Sequence, residues 1–431
     1  MRSALSSNYR FRILALLFFA TTINYFDRSL IAVLAPTFEK MFNWSNTDYA
    51  HIMIAFKVAY GLGLITMGRL IDQLGTKKGY TAAIGIWSLS GMAHALVQPS
   101  FSVIGFAMAR FGLGFGESGH FPAANKTVAE WFPKKDRAFA TGIFNAATSI
   151  GAIAAPFVVA TIVHDDGTNW RIPFLITGFL SAIWLYFWWK WYKKPQDHEA
   201  ITTQEFDYIH SDSVAETDAP LAWRKVIAKR ETWAFATAKI TDAVWYFFLF
   251  WGAKYLADKF GVDIKGIALP FFIYYAMADV GSIMGGYLSG RFIRGGWSIN
   301  KARKITLLIC ALATLPLSYV AFTDNQWIAI SLIGLAAAAH QAWSANILTL
   351  VSDIFPKKAT ASVTGIGGMV GVVAGIIADF SLGEMLDSAG NEGYFWAFLV
   401  AGMLYIVILG LVHLITPDMA PLDENLKRIP Q

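Results

Sequence analysis

Twelve long apolar stretches, separated by short polar ones, set the pattern of the chain. A helix that crosses a membrane needs about 20 mostly apolar residues. The stretches near 11–36, 48–70, 79–98, 102–124, 137–163 and 171–192 reach that length, as do those near 232–256, 266–289, 303–322, 327–350, 359–385 and 393–415. Between the two sets lies a polar segment, 193–230, whose charged part runs from Pro195 to Pro220. The pattern predicts an all-α membrane protein of twelve transmembrane helices in two six-helix halves. These are 1–192, a cytoplasmic linker 193–230 with a short amphipathic helix, and 231–431 with a cytoplasmic tail. The first apolar run, Ile13 to Leu34, holds Asn24, Asp27 and Arg28 and has no small-residue cleavage site, so it reads as a retained helix and not a signal peptide.

The halves repeat. Trp131-Phe132-Pro133-Lys134-Lys135 precedes Thr141-Gly142-Ile143, and Ile354-Phe355-Pro356-Lys357-Lys358 precedes Thr364-Gly365-Ile366, at an offset of 223 residues in both places. Both segments enter a span, the fifth and the eleventh, from the same side. A same-side repeat is a parallel one, about an axis along the membrane normal, as in transporters that rock two halves around a central site. Glycines cluster in spans two, four and eleven, at Gly61, Gly63, Gly68, Gly112, Gly114, Gly116, Gly365, Gly367, Gly368, Gly371 and Gly375. Small residues let helix backbones approach closely in lipid. Plain packing explains them, and a sliding surface is the alternative.

Charge then orients the spans. One side collects Arg2, Arg10, Arg12, Arg69, Lys77, Lys78, Lys126, Lys134, Lys135, Arg137, the basic linker residues, Arg291, Arg294, Lys301, Arg303, Lys304, Lys357, Lys358, Lys427 and Arg428. The other collects Lys40, Arg171, Lys254, Lys259 and Lys265. The positive-inside rule places both termini and the linker in the cytoplasm, in a multi-pass protein of the cytoplasmic (inner) membrane. Composition agrees: 55% of residues are hydrophobic and 15% charged, against about a quarter charged in soluble chains. The net charge of +5 is spread by this asymmetry and does not point to nucleic acid. The single cysteine, Cys310, excludes an internal disulfide and a cysteine metal cluster. No phosphate loop, HExxH or nucleophile elbow suggests an enzyme, a metal site or a cofactor.

Several segments carry a family resemblance. Gly68-Arg69-Leu70-Ile71-Asp72-Gln73-Leu74-Gly75-Thr76-Lys77-Lys78 resembles the loop between spans two and three of the major facilitator superfamily, departing at Gln73 and Thr76 where basic residues are usual. Asn24-Tyr25-Phe26-Asp27-Arg28, and the tract Ala109-Arg110-Phe111-Gly112-Leu113-Gly114-Phe115-Gly116-Glu117 running through Pro122 to Glu130-Trp131-Phe132-Pro133, resemble its anion:cation symporter branch. Ala339-His340-Gln341-Ala342 and Asp353-Ile354-Phe355 resemble bacterial hexuronate transporters within that branch. The resemblance covers nearly the whole chain. It implies the major facilitator fold and a proton-coupled symporter importing a sugar acid such as glucuronate or galacturonate. It also implies that Arg28 holds the substrate carboxylate, that Tyr60 touches substrate, and that Asp27 and Glu117 match the protonating pair of galactonate relatives, although hexuronate relatives need not keep an acid at the Asp27 position.

The charges within spans can be weighed on their own. Ionisable groups there are rare, face the bundle interior, and mark substrate or proton paths. Arg28 and Arg110 each offer a planar fork of donors that matches a carboxylate; the alternatives are a structural ion pair of Arg28 with Asp27 or with another helix, and one of Arg110 with Asp27. Burial disfavours a charged carboxylate while a nearby arginine favours it. Opposed effects of that kind suit Asp27 and Glu117 to carry protons, the alternative being a permanent salt bridge. Glu117 follows Arg110 by two helical turns, so both can face one cavity.

Lys57 and Tyr60 share a face of span two, with Lys57 in a cavity or snorkelling. Lys239 and Asp242 repeat that spacing in span seven, as an ion pair or as a cation for the substrate. His120 and His340 are relay candidates, with a hydrogen-bonded packing role as the plainer reading. Gln341 and Ser344 suit sugar hydroxyls, Trp343 a pyranose face, and Asn145 and Thr148 further hydroxyls, although Thr148 stands where galactonate relatives use glutamine. Asp279 and Asp379 are structural or gating candidates. Asp72 is expected to gate, by accepting donors at a helix N-terminus of the other half and pairing with loop cations.

The expected ligands are therefore a small carboxylate, protons as coupling ion and membrane lipid, around a monomer. Other readings stay open: an aldonate, galactonate or other organic-anion symporter, a sodium-coupled or exchange carrier, and, from another class, a non-transporting membrane sensor.

Overall fold

The computed structural model describes residues 8–164, 166–211, 223–423 and 425–428. Arg2 and the linker positions 212–222, both used in the sequence reading, lie outside them. Among the described residues the regular structure is helical, with one isolated β-bridge between Leu422 and Arg428. The chain packs as two compact units, Met1–Trp44 with His51–Glu216, and Ser45–Ala50 with Thr217–Gln431.

The first unit is built on α1 (Tyr9–Phe42), α2 (Asn46–Ala93, less its first turn), α3 (Ser102–Glu117), α4 (His120–Trp131), α5 (Lys134–Ile162) and α6 (Arg171–Trp191), with the short α7 (Thr203–Ile209) from the linker. The second holds α8 (Trp223–Ile227), α9 (Arg230–Ala238), α10 (Asp242–Phe260), α11 (Ala268–Arg294), α12 (Ile299–Thr314), α13 (Gln326–Ile354), α14 (Lys357–Ala389) and α15 (Glu392–Ile415).

Nine of these helical stretches are each long and apolar enough to cross a membrane. The difference from twelve has three local causes. Spans two and three run together as one stretch, Asn46–Leu96, turned at Gly75 (φ 76°, ψ 159°), a conformation only glycine adopts without strain. Span four is cut at Ser118-Gly119 into α3 and α4, of 16 and 12 residues. Span seven carries a 3₁₀ turn, Lys239–Thr241, between α9 and α10, and Lys239, Asp242, Lys254, Asp258 and Lys259 lower its hydropathy. Allowing for these interruptions, the architecture is the expected twelve-helix membrane fold.

The glycine tract explains how span four sits. A side chain at Gly114 would come within 2.4 Å of the Phe56 carbonyl oxygen, and one at Gly116 within 2.5 Å of the Trp87 nitrogen. So α3 lies backbone against backbone with both arms of α2, and its polar side chains are carried into the unit's interior. The 223-residue repeat is also local geometry. Pro133 and Pro356 open α5 and α14 with nearly the same torsions (φ −61°, ψ 155° and φ −62°, ψ 151°). In each, the preceding aromatic N–H closes the helix before it: Phe132 to Val128 and Phe355 to Val351, both 2.9 Å.

The start of the linker folds onto the first unit. Thr202 caps α7 by accepting from the Glu205 N–H (3.1 Å), and the buried Glu205 carboxylate accepts the Tyr9 and Arg10 N–H groups at the N-terminus of α1 (3.1 and 3.0 Å). A carboxylate suits the positive end of a helix.

Candidate functional site

Spans one, two and four bring the first unit's charges together. Arg28, two turns after Thr21 on α1, donates through Nε to Glu117 Oε2 (2.8 Å) and through Nη2 to Asn24 Oδ1 (3.5 Å), and its Nη2 stands 2.7 Å from the same Glu117 oxygen as an ion pair. Its guanidinium lies 4.7 Å from the Tyr25 ring, 5.3 Å from Phe56 and 5.2 Å from Tyr60. Arg110, fully buried, donates to the Arg28 carbonyl (3.3 Å) and sits 4.3 Å from the Phe56 ring. Phe56 therefore serves both cations, and the aromatic faces take up part of what the guanidinium groups lose on leaving water.

The cluster is polar beyond its ion pair. Asn24 Nδ2, both oxygens of Asp27 and Glu117 Oε1 are buried without a hydrogen-bond partner among the described residues. Asp27 stands one residue before Arg28, about 100° round the helix, and faces Gly91, where an added Cβ would lie 3.4 Å from its carboxylate. Thr177 is nearby, but its hydroxyl donates to the Phe174 carbonyl (2.9 Å). Asp27 thus forms no hydrogen-bonded pair with Arg28 or Arg110, and Arg28 pairs with Glu117. Buried polar atoms of this kind need partners, and a carboxylate ligand with hydroxyls supplies both acceptors and donors.

Other residues singled out from the sequence fall elsewhere. Lys57 is buried on α2, next to Phe56, which excludes snorkelling in this structure. Asn145 is exposed and Thr148 half-buried on α5, and among the described residues no hydrogen bond joins either to the cluster. Asp72 pairs with Lys126 on α4 of its own unit (2.6 Å). His120 is held by Thr21 and Tyr80, at 2.8 and 2.7 Å.

In the second unit Lys239 and Asp242 form the ion pair their spacing allowed, at 2.5 Å across the 3₁₀ turn. His340 bonds the Tyr405 hydroxyl through Nδ1 (2.6 Å) and stacks on Trp245 (5.4 Å, 11°). Trp343, expected to offer a face to a sugar ring, packs within the second unit. Its indole is fully buried, its N–H donates to the Ala238 carbonyl at the 3₁₀ turn in span seven (3.3 Å), and Tyr405 meets it edge-on. Gln341 and Ser344 are half-buried on the next turn of α13. Asp379 is buried and accepts from Trp251 Nε1 (3.1 Å), while Asp279 is exposed.

Sequence reasoning passed over Tyr25, Phe56, Thr21 and Tyr80. The spacing of Phe56 and Tyr60, one turn apart, was the signal for the aromatic rim. Nothing in the sequence links Tyr80 to a histidine 40 residues on.

A family model described as the Major Facilitator Superfamily matches residues 17–378. The chain is 32% identical over 410 residues to the hexuronate transporter of Escherichia coli strain K12, covering 94% of each chain. It is 31% identical over 335 residues to the galacturonate transporter of Dickeya chrysanthemi, covering 76% of this chain and 95% of that one. Among solved structures, an inward-facing bacterial homologue of the human lysosomal transporter Spinster aligns with a TM-score of 0.78 at 19% identity, covering 96% of this chain and 98% of that one. A D-xylose–proton symporter aligns at 0.77 and 15%, covering 98% and 100%. At such identities the structural likeness speaks for the fold alone.

Proposed function

The chain belongs to the Major Facilitator Superfamily, as an integral membrane transporter, and from that premise we propose that it imports a hexuronate by proton symport. The observation that carries this reading is the buried Arg28–Glu117 pair, rimmed by Tyr25, Phe56 and Tyr60, beside the Asp27 carboxylate. The hexuronate and galacturonate transporters, at 32% and 31% identity, support a hexuronate as the substrate, while galactonate and galactarate/D-glucarate transporters match 90% or more of the chain at 24–28%.

The chemistry is an exchange of acceptors. Arg28 turns its fork to Glu117, and a substrate carboxylate reaching Arg28 needs the same donors. A proton on Glu117 removes its charge and releases the guanidinium, so a proton and a sugar acid enter as a pair and the buried charge stays balanced. Asp27 takes the second proton site, and Tyr60, Lys57 and Arg110 border the substrate. Asn145 and Thr148 of the first half, and Lys239, His340, Gln341 and Ser344 of the second, are the candidates for its hydroxyls. Coupling follows when one state binds proton and substrate together better than the other state does. The asymmetry of basic residues supports a cytoplasmic membrane location with both termini inside, and the protein acts as a monomer without a cofactor.

Purified protein in proteoliposomes tests the reading. Imposing an acid exterior is expected to drive accumulation of D-glucuronate or D-galacturonate over D-galactonate and D-gluconate. Uptake of every acid that ignores the pH gradient sinks proton symport. A response to sodium at fixed pH reassigns the coupling ion, and binding without any flux points to a sensor.

A further inference from the structure

We propose that His120, bridged to Thr21 and Tyr80, is a positioning residue that holds Glu117 against Arg28 across the turn in span four; this rests on the symport reading above. Between Glu117 and His120 span four tightens to a 3₁₀-type turn: the Ser118 N–H bonds the Gly114 carbonyl and the Gly119 N–H the Gly116 carbonyl, both 3.1 Å, so the α-helical register changes beside the carboxylate. The first residue of α4 adds a side-chain constraint there. The Thr21 hydroxyl donates to the Leu17 carbonyl (2.8 Å), so its one proton is committed, and it accepts from His120 Nε2–H at 2.8 Å. Nδ1 is then an acceptor, and the Tyr80 phenol donates to it at 2.7 Å. The ring is held as one neutral tautomer with both nitrogens satisfied, and Thr21, Tyr80 and His120 are all fully buried. His120 is thus tied to α1 and α2 and has no spare nitrogen with which to relay a proton.

On α1, Thr21, Asn24 and Arg28 recur at three- and four-residue intervals and share one face. On the facing span, His120 and Glu117 are three apart. The two spans are therefore clamped at two points, Thr21–His120 and Arg28–Glu117, about two turns apart on α1. When substrate and proton open the second clamp, the first keeps α4 in place, and Glu117 responds by turning its side chain and not by sliding its helix. The second unit carries a bridge of similar make. His340 bonds Tyr405, whose hydroxyl neighbours Thr241, and Thr241 donates to the Ala238 carbonyl at the 3₁₀ turn in span seven (2.9 Å).

Two readouts on the full-length protein test this. Infrared titration follows the carboxyl band that is absent from Glu117→Gln. In Thr21→Val, which keeps the shape and loses the acceptor, and in His120→Phe, its midpoint is expected to move by about one pH unit; His120→Gln, whose amide N–H can still reach Thr21, restores it. In proteoliposomes Thr21→Val is expected to lose about tenfold in pH-driven D-glucuronate accumulation while exchange at equal pH stays within about twofold. If Thr21→Val titrates as the unaltered protein does, or if His120→Gln behaves as His120→Phe, the bridge is packing alone and the proposal is overturned. If the unaltered protein does not accumulate the sugar acid under a pH gradient, the symport reading fails, and the infrared arm still decides the bridge.

Discussion

Glu117 takes the Arg28 hydrogen bond and the closest guanidinium contact on one oxygen and keeps the other buried, without a donor among the described residues. Two consequences belong to single residues. Glu117→Gln keeps a side chain of the same shape but cannot alternate between charged and neutral forms, so exchange and binding are expected to survive while accumulation against a gradient is lost. Uptake assays with and without an imposed pH difference separate the two. Arg28→Lys keeps the charge but replaces the planar fork by a point charge, and a rise in KM of about tenfold, about 1.4 kcal/mol of binding, is expected in the same assay. An unchanged KM removes Arg28 from the substrate. Both residues were legible, because charges in an apolar run are few and must have work to do. Their pairing was not. Asp27 adjoins Arg28 in the chain, yet successive helix residues point about 100° apart, and the partner turned out to lie 89 positions away.

At the scale of elements, the informative features are interruptions. Hydropathy located spans four and seven but gave no sign that each tightens to a 3₁₀-type turn beside the residue that carries its charge, Glu117 or Lys239. An averaged apolar window is blind to two residues of altered torsion, whereas the Gly112–Gly119 tract shows where backbones can approach. Gly75 makes the reversal between the first two-helix arms with φ 76° and ψ 159°. A Cβ there meets no atom within 4 Å, so Gly75→Ala isolates backbone strain from crowding. A loss of about 1–3 kcal/mol is expected, seen as a lowered melting temperature of the detergent-solubilised protein. No change in melting means that the loop reverses by another conformation. The Trp131 and Ile354 repeat was readable because its Pro-Lys-Lys corner is local, and both copies adopt one geometry.

At the scale of the whole molecule, the linker proves to be more than a tether. His198 lies against Tyr9 (4.2 Å) and Trp131 (5.4 Å), with Nε2 toward the Trp191 carbonyl (3.1 Å) and Nδ1 accepting from the Ala200 N–H (3.2 Å). Burial pulls its pKa below the usual histidine value, against Glu205 and Glu199, which raise it, and with Lys193, which lowers it. The folded state therefore favours the neutral ring, and an undocked linker binds the proton more readily. The docking is fully present above about pH 6.5 and weakens as pH falls through the lowered folded value. Hydrogen exchange of 193–211 is expected to quicken as pH drops from 7 toward 5, after correction for intrinsic rates, and His198→Phe is expected to remove that dependence. Equal pH responses in the two proteins exclude His198. The sequence by itself determined the membrane class, the twelve spans in two halves, the repeat, and a short list of charges, because lipid demands long apolar helices and tolerates few ionisable groups. Tertiary structure alone decided which of those charges meet, which aromatics line them, that Trp343 is buried, and that His120 is a bridge. Those outcomes depend on how helices are rotated and how closely they approach, and neither is encoded in a period of apolar residues.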